Sequence, residues 1–259
     1  LTTGPHPRDN CFITDPIEVA KEHSASWASE WGSNGKNFQK NITSYFVQLR
    51  KTYLKQAEDF ARKINASPSR VRAALKIFSY STAIGGDEMH LRRMANLPDN
   101  TLGQLGSMFK QAVASLTIPL QDLLNMLSLL GKKSGGSRTI AIMASFYRAL
   151  MKFFCEDIRE WDAATGHFWD SALAGSSSLR AAVMRALKVE NAAAREAHIG
   201  HLLWDQRKFY DSVRLPTLCE ELLERDYPPE LLILGYLTHA APRILKVGTS
   251  LGPVITHCS

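Results

Sequence analysis

Cysteine is scarce in this 259-residue sequence, and long apolar runs are absent from it. The chain has four cysteines, and none is spaced as Cys-x-x-Cys, which argues against both a zinc site and a disulfide framework. No run reaches the roughly 18 apolar residues that a membrane span needs, and no secretory signal opens the sequence. These absences predict an intracellular protein, nuclear or cytoplasmic, with reduced thiols and no membrane partner.

Acidic residues are scarce in one part of the chain. Residues 36–76 contain ten of the 31 lysines and arginines but only two of the 25 acidic residues, so the remainder, with 21 basic and 23 acidic residues, is nearly balanced. The net charge of +6 is therefore local. Clustered cations are typical of a protein that binds a nucleic-acid backbone, and the alternative is a solvated helix face.

Helical periodicity dominates the first half of the sequence. Apolar residues recur at helical spacing through residues 38–64, with most of the cations between them, and residues 99–116 and 119–130 also predict helices. Strands are predicted at residues 139–143, 199–204, 243–247 and 254–257, the last two as a hairpin. The pattern predicts an α+β fold that is predominantly α-helical, as one large domain or two coupled lobes.

Capping residues mark several helix starts. Thr14 or Asp15 precedes Pro16 in the order that is typical of a helix N-terminus. The serines after Gly175 are predicted to cap another helix. Asp87 follows a pair of glycines just before a further helical stretch, and we expect it to act as a helix cap as well.

One carboxylate follows directly after a short apolar run. Residues 199–204 are predicted to form a buried strand, and Asp205 then lies where that strand ends. A carboxylate in this position suits a hard cation such as Mg²⁺, which takes few protein oxygens and keeps its other positions for water and substrate phosphate. Asp205 is therefore the leading candidate metal ligand, and the alternative is that it only caps the following turn.

A flexible cationic turn occupies residues 132–138. It is not a phosphate-binding loop of the Walker type, because Ser137 stands where that motif requires lysine and because a strand rather than a helix follows. Arg138 nevertheless offers the planar fork of donors that suits phosphate oxygens. The turn is predicted either to fold over a triphosphate or to be an ordinary exposed hairpin tip.

Four sequence blocks, taken in order, resemble the reverse transcriptases of non-LTR (LINE-like) retrotransposons. Residues 83–90 resemble the family's Gly-Pro-Asp-Gly block. Residues 132–148 resemble its Gly-x-Arg-Pro-Ile block with the Tyr-Arg pair that follows. Residues 174–180 resemble its Gly-Arg-Ser block. Residues 205–213 are similar to its first palm motif, Asp-x-x-x-(Ala/Phe)-(Phe/Tyr)-Asp-x-(Val/Ile).

The resemblance covers nearly the whole sequence and implies the fingers of a right-hand polymerase with a partial palm β-sheet. It implies an N-terminal helical extension and fingers at residues 1–130, a fingers hairpin and helices at residues 131–198, and a partial palm at residues 199–259. Gly86 and Thr139 stand where the family has proline, so the local turn geometry departs from the family's pattern while the charged positions are kept.

The resemblance also implies roles for single residues near the first palm motif. Asp205 and the backbone carbonyl of Gln206 would bind the two Mg²⁺ ions that bridge the primer 3′ oxygen and the incoming triphosphate. Tyr210 would lie under the sugar and exclude a ribose 2′-OH, which favours dNTPs. Asp211 would point away from the metals and be structural, and Asp87 is also expected to be structural.

Partners follow from the resemblance in the same way. Lys133 and Arg138 would grip the triphosphate of the dNTP. The RNA template and the DNA primer would contact Arg148 and cations of the long basic helix, namely Lys51, Lys55, Arg62 and Lys63.

The family's Tyr-x-Asp-Asp turn, which supplies the other metal carboxylates, does not occur in this sequence. Our hypothesis is that a longer parent polypeptide contains it and carries out nucleotidyl transfer, and that the 259-residue piece alone is inactive. Two alternatives remain. One is a non-catalytic nucleic-acid-binding scaffold or decayed remnant with the same fold. The other is an unrelated helical protein in which Asp205 and Asp211 are turn residues and Asp205 lies far from Arg138.

Overall fold

The computed structural model describes residues 14–32, 36–131, 137–167, 175–200 and 213–256. Within the second of these ranges, side chains are described from Ile42 onwards. The fold is α+β, about 61% helical, with a small four-stranded mixed sheet, which confirms the α+β class predicted from periodicity. A search of these ranges finds no helix that is both long enough and apolar enough to cross a membrane.

Helices and strands alternate irregularly along the described chain. The helices are α1 Pro16–Trp31, α2 Lys36–Lys63, α3 Pro68–Lys76, α4 Leu91–Met94, α5 Asp99–Ser115, α6 Ser145–Phe153, α7 Cys155–Thr165, α8 Ser178–Ala194, α9 Leu215–Glu224 and α10 Pro229–His239. The strands are β1 Asn125–Gly131, β2 Ser137–Ile142, β3 Arg243–Val247 and β4 Ser250–Ile255.

Helices α1 and α8 begin where the capping residues predict them. The Asp15 carboxylate accepts a hydrogen bond from the Ile17 N–H at 2.9 Å, and Pro16 occupies the first helical position. The Ser177 hydroxyl accepts one from the Arg180 N–H at 3.0 Å. Both bonds satisfy amides that have no partner inside the helix, so these two predictions are confirmed.

The sheet joins segments from distant parts of the chain in the order β2-β1-β3-β4. Strand β1 pairs antiparallel with β2 and parallel with β3. Strands β3 and β4 form an antiparallel hairpin with an irregularity between Ile244 and Lys246. This hairpin confirms the predicted one, although β4 begins at Ser250 and the connecting turn is shorter than the sequence indicates.

The prediction of a helix over residues 119–130 is wrong. Residues 120–122 form a single 3-10 turn, and residues 125–131 form β1 in the interior of the sheet. A short continuous apolar run fits a buried strand as well as a helix, because it lacks the periodicity that separates them. Pairing with β2 on one side and β3 on the other decides between the two.

Four of the six residues of the strand predicted at residues 199–204 lie outside the described residues. Ile199 and Gly200 are described and belong to no strand. Residues 201–212 lie outside the described ranges, so the rest of this strand stays a prediction.

Helix α1 covers one face of the sheet. The buried core between them consists of Val19, Ala20, Trp31, Leu127, Leu129, Leu245, Val247 and Ile255. The backbones approach closely at Gly252 in β4, where a Cβ atom would lie 2.6 Å from Ser24 Oγ and 3.0 Å from the Ala20 carbonyl oxygen. Only glycine fits this contact without a shift of the helix.

A second core lies between α2, α5, α9 and α10. Its buried members are Ile42, Leu49, Ala57, Leu116, Cys219, Leu232, Ile233 and Tyr236. The Tyr236 hydroxyl donates a hydrogen bond to the Ile42 carbonyl at 2.9 Å, and burial raises the pKa of the Cys219 thiol to about 12. This packing buries one face of α2 and leaves the opposite face to solvent.

The described chain divides into two compact units. The first comprises the described residues up to Phe153 and those from Val213 onwards, and it contains the sheet and both cores. The second comprises the described residues from Phe154 to Gly200, with helices α7 and α8. Helix α8 buries none of its side chains.

Candidate functional site

The sheet face opposite α1 exposes apolar side chains. Leu130 and Val254 are 49% and 53% exposed, and Ile140 is 48% exposed. Each lies on the side opposite Leu127 and Leu245 of the buried core, because side chains alternate between the two faces along a strand and directly paired residues share a face. We call the exposed part of this side, around these three residues, the open face. Met126 lies on the same side near the start of β1 and is buried.

Arg138 and Lys246 lie on the open face. Arg138 pairs with Leu130 across β1 and β2, and Lys246 pairs with Ser128 across β1 and β3. Both cations are exposed. Standard strand spacing places their Cα atoms about 12 Å apart, so the two long side chains can reach the same extended anion.

The charge of the sheet is entirely positive. Its four strands contain no acidic residue. The third strand cation, Arg243, lies on the face of α1, where its guanidinium is 4.2 Å from the centroid of the Trp31 ring. The open face therefore combines two exposed cations with exposed apolar surface, which is a chemistry suited to an anion that also carries apolar groups, such as a nucleotide.

Helix α2 presents a second basic surface. Lys51, Lys55 and Arg62 are exposed and fall within an arc of about 40° on the helix, opposite its buried face. Exposed Glu58 lies about 20° outside this arc, next to Lys51, and Arg62 forms an ion pair with Asp59. We call Lys51, Lys55 and Arg62 the α2 stripe. Exposed Lys63 lies beside this stripe.

Other cations of residues 36–76, which we call the basic segment, form hydrogen bonds within the protein instead. The Arg50 side chain donates to the Ser115 carbonyl at 3.1 Å. The Arg72 guanidinium donates to the carbonyls of Ala95 and Leu97 at 3.0 and 2.9 Å and forms an ion pair with Asp99 at 2.7 Å. The positive charge available to a ligand is therefore smaller than the sequence indicates.

Asp87 joins two of the sequence blocks. Its carboxylate accepts hydrogen bonds from the Ser145 N–H at 2.6 Å and the Ser145 hydroxyl at 3.0 Å, and from the Met89 N–H at 3.3 Å. It therefore caps α6, which begins 58 residues later, rather than the helix that follows it. These contacts are structural in kind and leave the carboxylate little capacity for a ligand.

Arg148 is half-buried beside the loop that contains Ala83 and Asp87. It donates a hydrogen bond to the Ala83 carbonyl at 2.8 Å, and its guanidinium lies 5.7 Å from the centroid of the Phe78 ring. Burial lowers the pKa of Arg148, and the negative charge of Asp87 opposes this effect. The pKa of the Asp122 carboxyl group is raised, because burial and the negative charge of Asp87 both disfavour its charged form.

Five of the predicted site residues lie outside the described residues, namely Lys133, Asp205, Gln206, Tyr210 and Asp211. Their roles therefore stay predictions. The described ranges contain no group of three or more histidine, cysteine, aspartate and glutamate side chains arranged to hold a metal ion. Within those ranges, the candidate chemistry is anion binding by Arg138, Lys246 and the α2 stripe.

Lys246 is the open-face residue that sequence reasoning missed. Its only local signal is a cation between the apolar residues Leu245 and Val247 of the strand Arg243–Val247. Its position beside Arg138 depends on the parallel pairing of β1 and β3, which no local pattern predicts.

Comparison with known proteins does not identify the chain. No protein-family model matches it, and no curated protein matches its sequence. Function is therefore inferred from the four sequence blocks and from the geometry of the described residues.

Proposed function

We propose that the chain forms the fingers and the first part of the palm of an RNA-directed DNA polymerase of the non-LTR retrotransposon type. The parent polypeptide would add dNTPs to a primer 3′ end by two-metal nucleotidyl transfer. The order of the four sequence blocks supports this proposal. Within the fold, the strongest support is the open face, on which Arg138 and Lys246 lie together without an acidic neighbour in the sheet.

On this proposal the open face binds the triphosphate of the incoming nucleotide. Arg138 supplies a fork of donors to the phosphate oxygens, together with Lys133 from the preceding turn. Lys246 adds a further positive charge across the sheet, with its Cα atom about 12 Å from that of Arg138. Fixed cations of this kind stabilise the negative charge of a transferring phosphoryl group.

Template and primer would bind to other cations of the same polypeptide. The α2 stripe, with Lys63 beside it, offers sequence-independent contacts to phosphates of the RNA template and the DNA primer. Arg148 belongs to this proposed set, although its bond to the Ala83 carbonyl makes it in part a residue that holds the loop.

The chemical step would depend on residues of the first palm motif. Asp205 and the Gln206 carbonyl would hold Mg²⁺, which when bound stabilises the attacking and leaving oxygens of an in-line displacement. Tyr210 would pack against the sugar and exclude a ribose 2′-OH. Asp211 would hold the local structure without touching the ions.

The open face is tested by anion binding. We expect the double variant Arg138→Gln, Lys246→Gln to bind a fluorescent dATP analogue at least about tenfold more weakly, because each charge-assisted contact to phosphate contributes on the order of 1.5–3 kcal/mol. Inorganic tripolyphosphate should displace the analogue from the wild-type protein. The measurement is fluorescence anisotropy at fixed salt.

A matched control is the double variant Lys21→Gln, Lys188→Gln, which removes equal charge from exposed positions in α1 and α8. It should bind like the wild-type protein. If the double variant also binds the analogue like wild type, the open face is not a triphosphate site.

Primer extension tests the catalytic part of the proposal. With Mg²⁺, dNTPs and an RNA template, a parent polypeptide that contains a Tyr-x-Asp-Asp turn should extend a DNA primer, and Asp205→Asn should abolish extension. The 259-residue chain, which has no such turn, should bind the duplex without extending it. Extension by the short chain would contradict the assigned metal ligands. A parent polypeptide that lacks the turn, binds the duplex and does not extend the primer would be the non-catalytic scaffold.

A further inference from the structure

Tyr80 is presented to solvent at the tip of a tight turn. The Thr82 N–H donates to the Ser79 carbonyl at 3.1 Å, and the Ser81 N–H donates to the Ser79 hydroxyl at 3.2 Å. Tyr80 is the second residue of this turn and is 64% exposed. An aromatic ring with this exposure makes little use of its apolar surface in the core, so its energetic contribution to folding is small.

The ring is held in place although it is exposed. The Arg92 guanidinium lies 5.2 Å from the ring centroid and donates to the Lys76 carbonyl. The His90 ring lies 6.2 Å away at an angle of 51°, and His90 Nε2 lies 3.0 Å from the Tyr80 carbonyl oxygen. A ligand that contacts the ring therefore meets a side chain that is already ordered, which lowers the entropy lost on binding.

The surroundings of Tyr80 favour an anionic ligand. Lys76 and Arg93 are exposed near Arg92 on the same short stretch of chain. Of the two acidic residues in that stretch, Asp87 is engaged by Ser145 and only Glu88 is exposed. An ordered aromatic ring beside several cations is the arrangement with which proteins stack the bases of single-stranded nucleic acid while holding its backbone.

We propose that Tyr80 is a stacking platform for a base of single-stranded nucleic acid, with Arg92, Lys76 and Arg93 supplying positive charge to the adjacent phosphates. This proposal rests on the proposed function, in which the chain binds nucleic acid, and it adds a site for an unpaired strand. The site is separate from the open face and the α2 stripe in sequence and in the elements that build it.

Two fluorescent oligonucleotides with equal numbers of phosphates separate stacking from charge. One is a twelve-residue oligouridine, and the other has the same backbone with abasic residues. We expect Tyr80→Ala to weaken oligouridine binding by roughly 5- to 100-fold, because base stacking on an aromatic side chain is lost. Binding of the abasic oligonucleotide should not change, and Tyr80→Phe should keep most of the affinity. Leu120→Ala, at another exposed apolar position, should bind both oligonucleotides like wild type.

Crosslinking provides a measurement that does not depend on a variant. An oligonucleotide containing 5-bromouridine should crosslink to Tyr80 of the wild-type protein on irradiation, as mapped by mass spectrometry. The platform is refuted if Tyr80→Ala and wild type bind oligouridine equally, or if the crosslink maps elsewhere. The exposed ring would then be a contact site for a protein partner. If the wild-type protein binds the abasic oligonucleotide but shows no preference for bases, the platform alone fails. If it binds neither, the proposed function fails with it.

Discussion

Individual arginines of the basic segment perform two different tasks. Arg72 donates to two backbone carbonyls, and Arg50 donates to a third, so both are committed to the fold. Arg62, in contrast, keeps most of its surface in water, with only a local ion pair to Asp59. These arginines contribute equally to the net charge of the sequence, but only the exposed ones can neutralise a phosphate.

Gly106 allows α5 to approach the backbone that connects α2 and α3. A Cβ atom at this position would lie 2.5 Å from the Ala66 carbonyl oxygen. We expect Gly106→Ala to lower the free energy of unfolding by about 1–3 kcal/mol, because backbone must move to relieve the overlap. Thermal unfolding followed by circular dichroism measures the change.

Gly103 in the same helix supplies the matched control. A Cβ atom there would lie 3.7 Å from Pro68 Cγ, an ordinary contact. Gly103→Ala should leave the protein as stable as wild type or more stable by up to about 1 kcal/mol, because alanine favours the helix. Equal effects of the two substitutions would contradict the close contact at Gly106.

Asp122 makes the stability of the protein depend on pH. Its folded-state pKa is raised, first by burial and second by the charge of Asp87. The stability that depends on a neutral Asp122 is therefore fully present below the ordinary pKa of 3.8. It is lost as the pH rises through the folded pKa, because the folded protein must then bury a charged carboxylate. We expect Asp122→Asn to unfold at a higher temperature than wild type near neutral pH.

The difference between the two proteins should shrink as the pH falls towards the ordinary aspartate pKa, because both side chains are then neutral. Unfolding temperatures measured between about pH 4 and pH 8 test this expectation. A difference that does not grow with pH would exclude a raised pKa for Asp122.

At the scale of elements, Arg72 connects three helices. It lies in α3, and its guanidinium bonds to the carbonyls after α4 and to Asp99 in the first turn of α5. We expect Arg72→Gln to destabilise the protein by about 1–3 kcal/mol, because half-buried carbonyls lose their donors. Hydrogen exchange should accelerate most between residues 91 and 99.

Arg93→Gln is the control for this prediction, because Arg93 is an exposed cation in α4. Its exchange rates and unfolding temperature should match those of wild type. If Arg72→Gln also matches wild type, the three helices are held by apolar packing alone.

At the scale of the whole molecule, nucleic-acid binding on the proposed function would draw on elements far apart in the chain. The α2 stripe lies in α2, whereas Arg138 and Lys246 reach the open face from β2 and β3. Each phosphate contact releases counterions, so the affinity for a duplex should fall steeply as salt increases.

We expect the triple variant Lys51→Gln, Lys55→Gln, Arg62→Gln to reduce the slope of log affinity against log salt concentration by about 2–3, since each phosphate that is no longer neutralised lowers the slope by about 0.9. Anisotropy titrations with a labelled RNA–DNA duplex measure this slope. The variant Lys21→Gln, Lys188→Gln, Arg225→Gln removes equal charge from scattered exposed positions and should change the slope less. Equal slopes for the two triple variants would mean that binding senses net charge and not the α2 stripe.

Local hydrogen bonds made parts of the fold predictable. Asp15 and Ser177 each bond to an amide two or three residues away, so the identity of the capping residue is enough to place α1 and α8. The apolar run at residues 125–131 carries no comparable local signal, and it became β1 because strands from distant segments pair with both of its edges. A helix was the wrong prediction for this reason.

The sequence by itself determined the α+β class, the helix starts at α1 and α8, the basic amphipathic helix and the four blocks that motivate the polymerase proposal. Tertiary structure decided that Lys246 lies on the same face as Arg138, that Asp87 caps a helix 58 residues away, and that Arg72 is a structural residue. Capping and amphipathicity depend on neighbours within one or two helical turns, which a sequence displays directly. The other three depend on contacts between remote segments, and these exist only once the chain has packed.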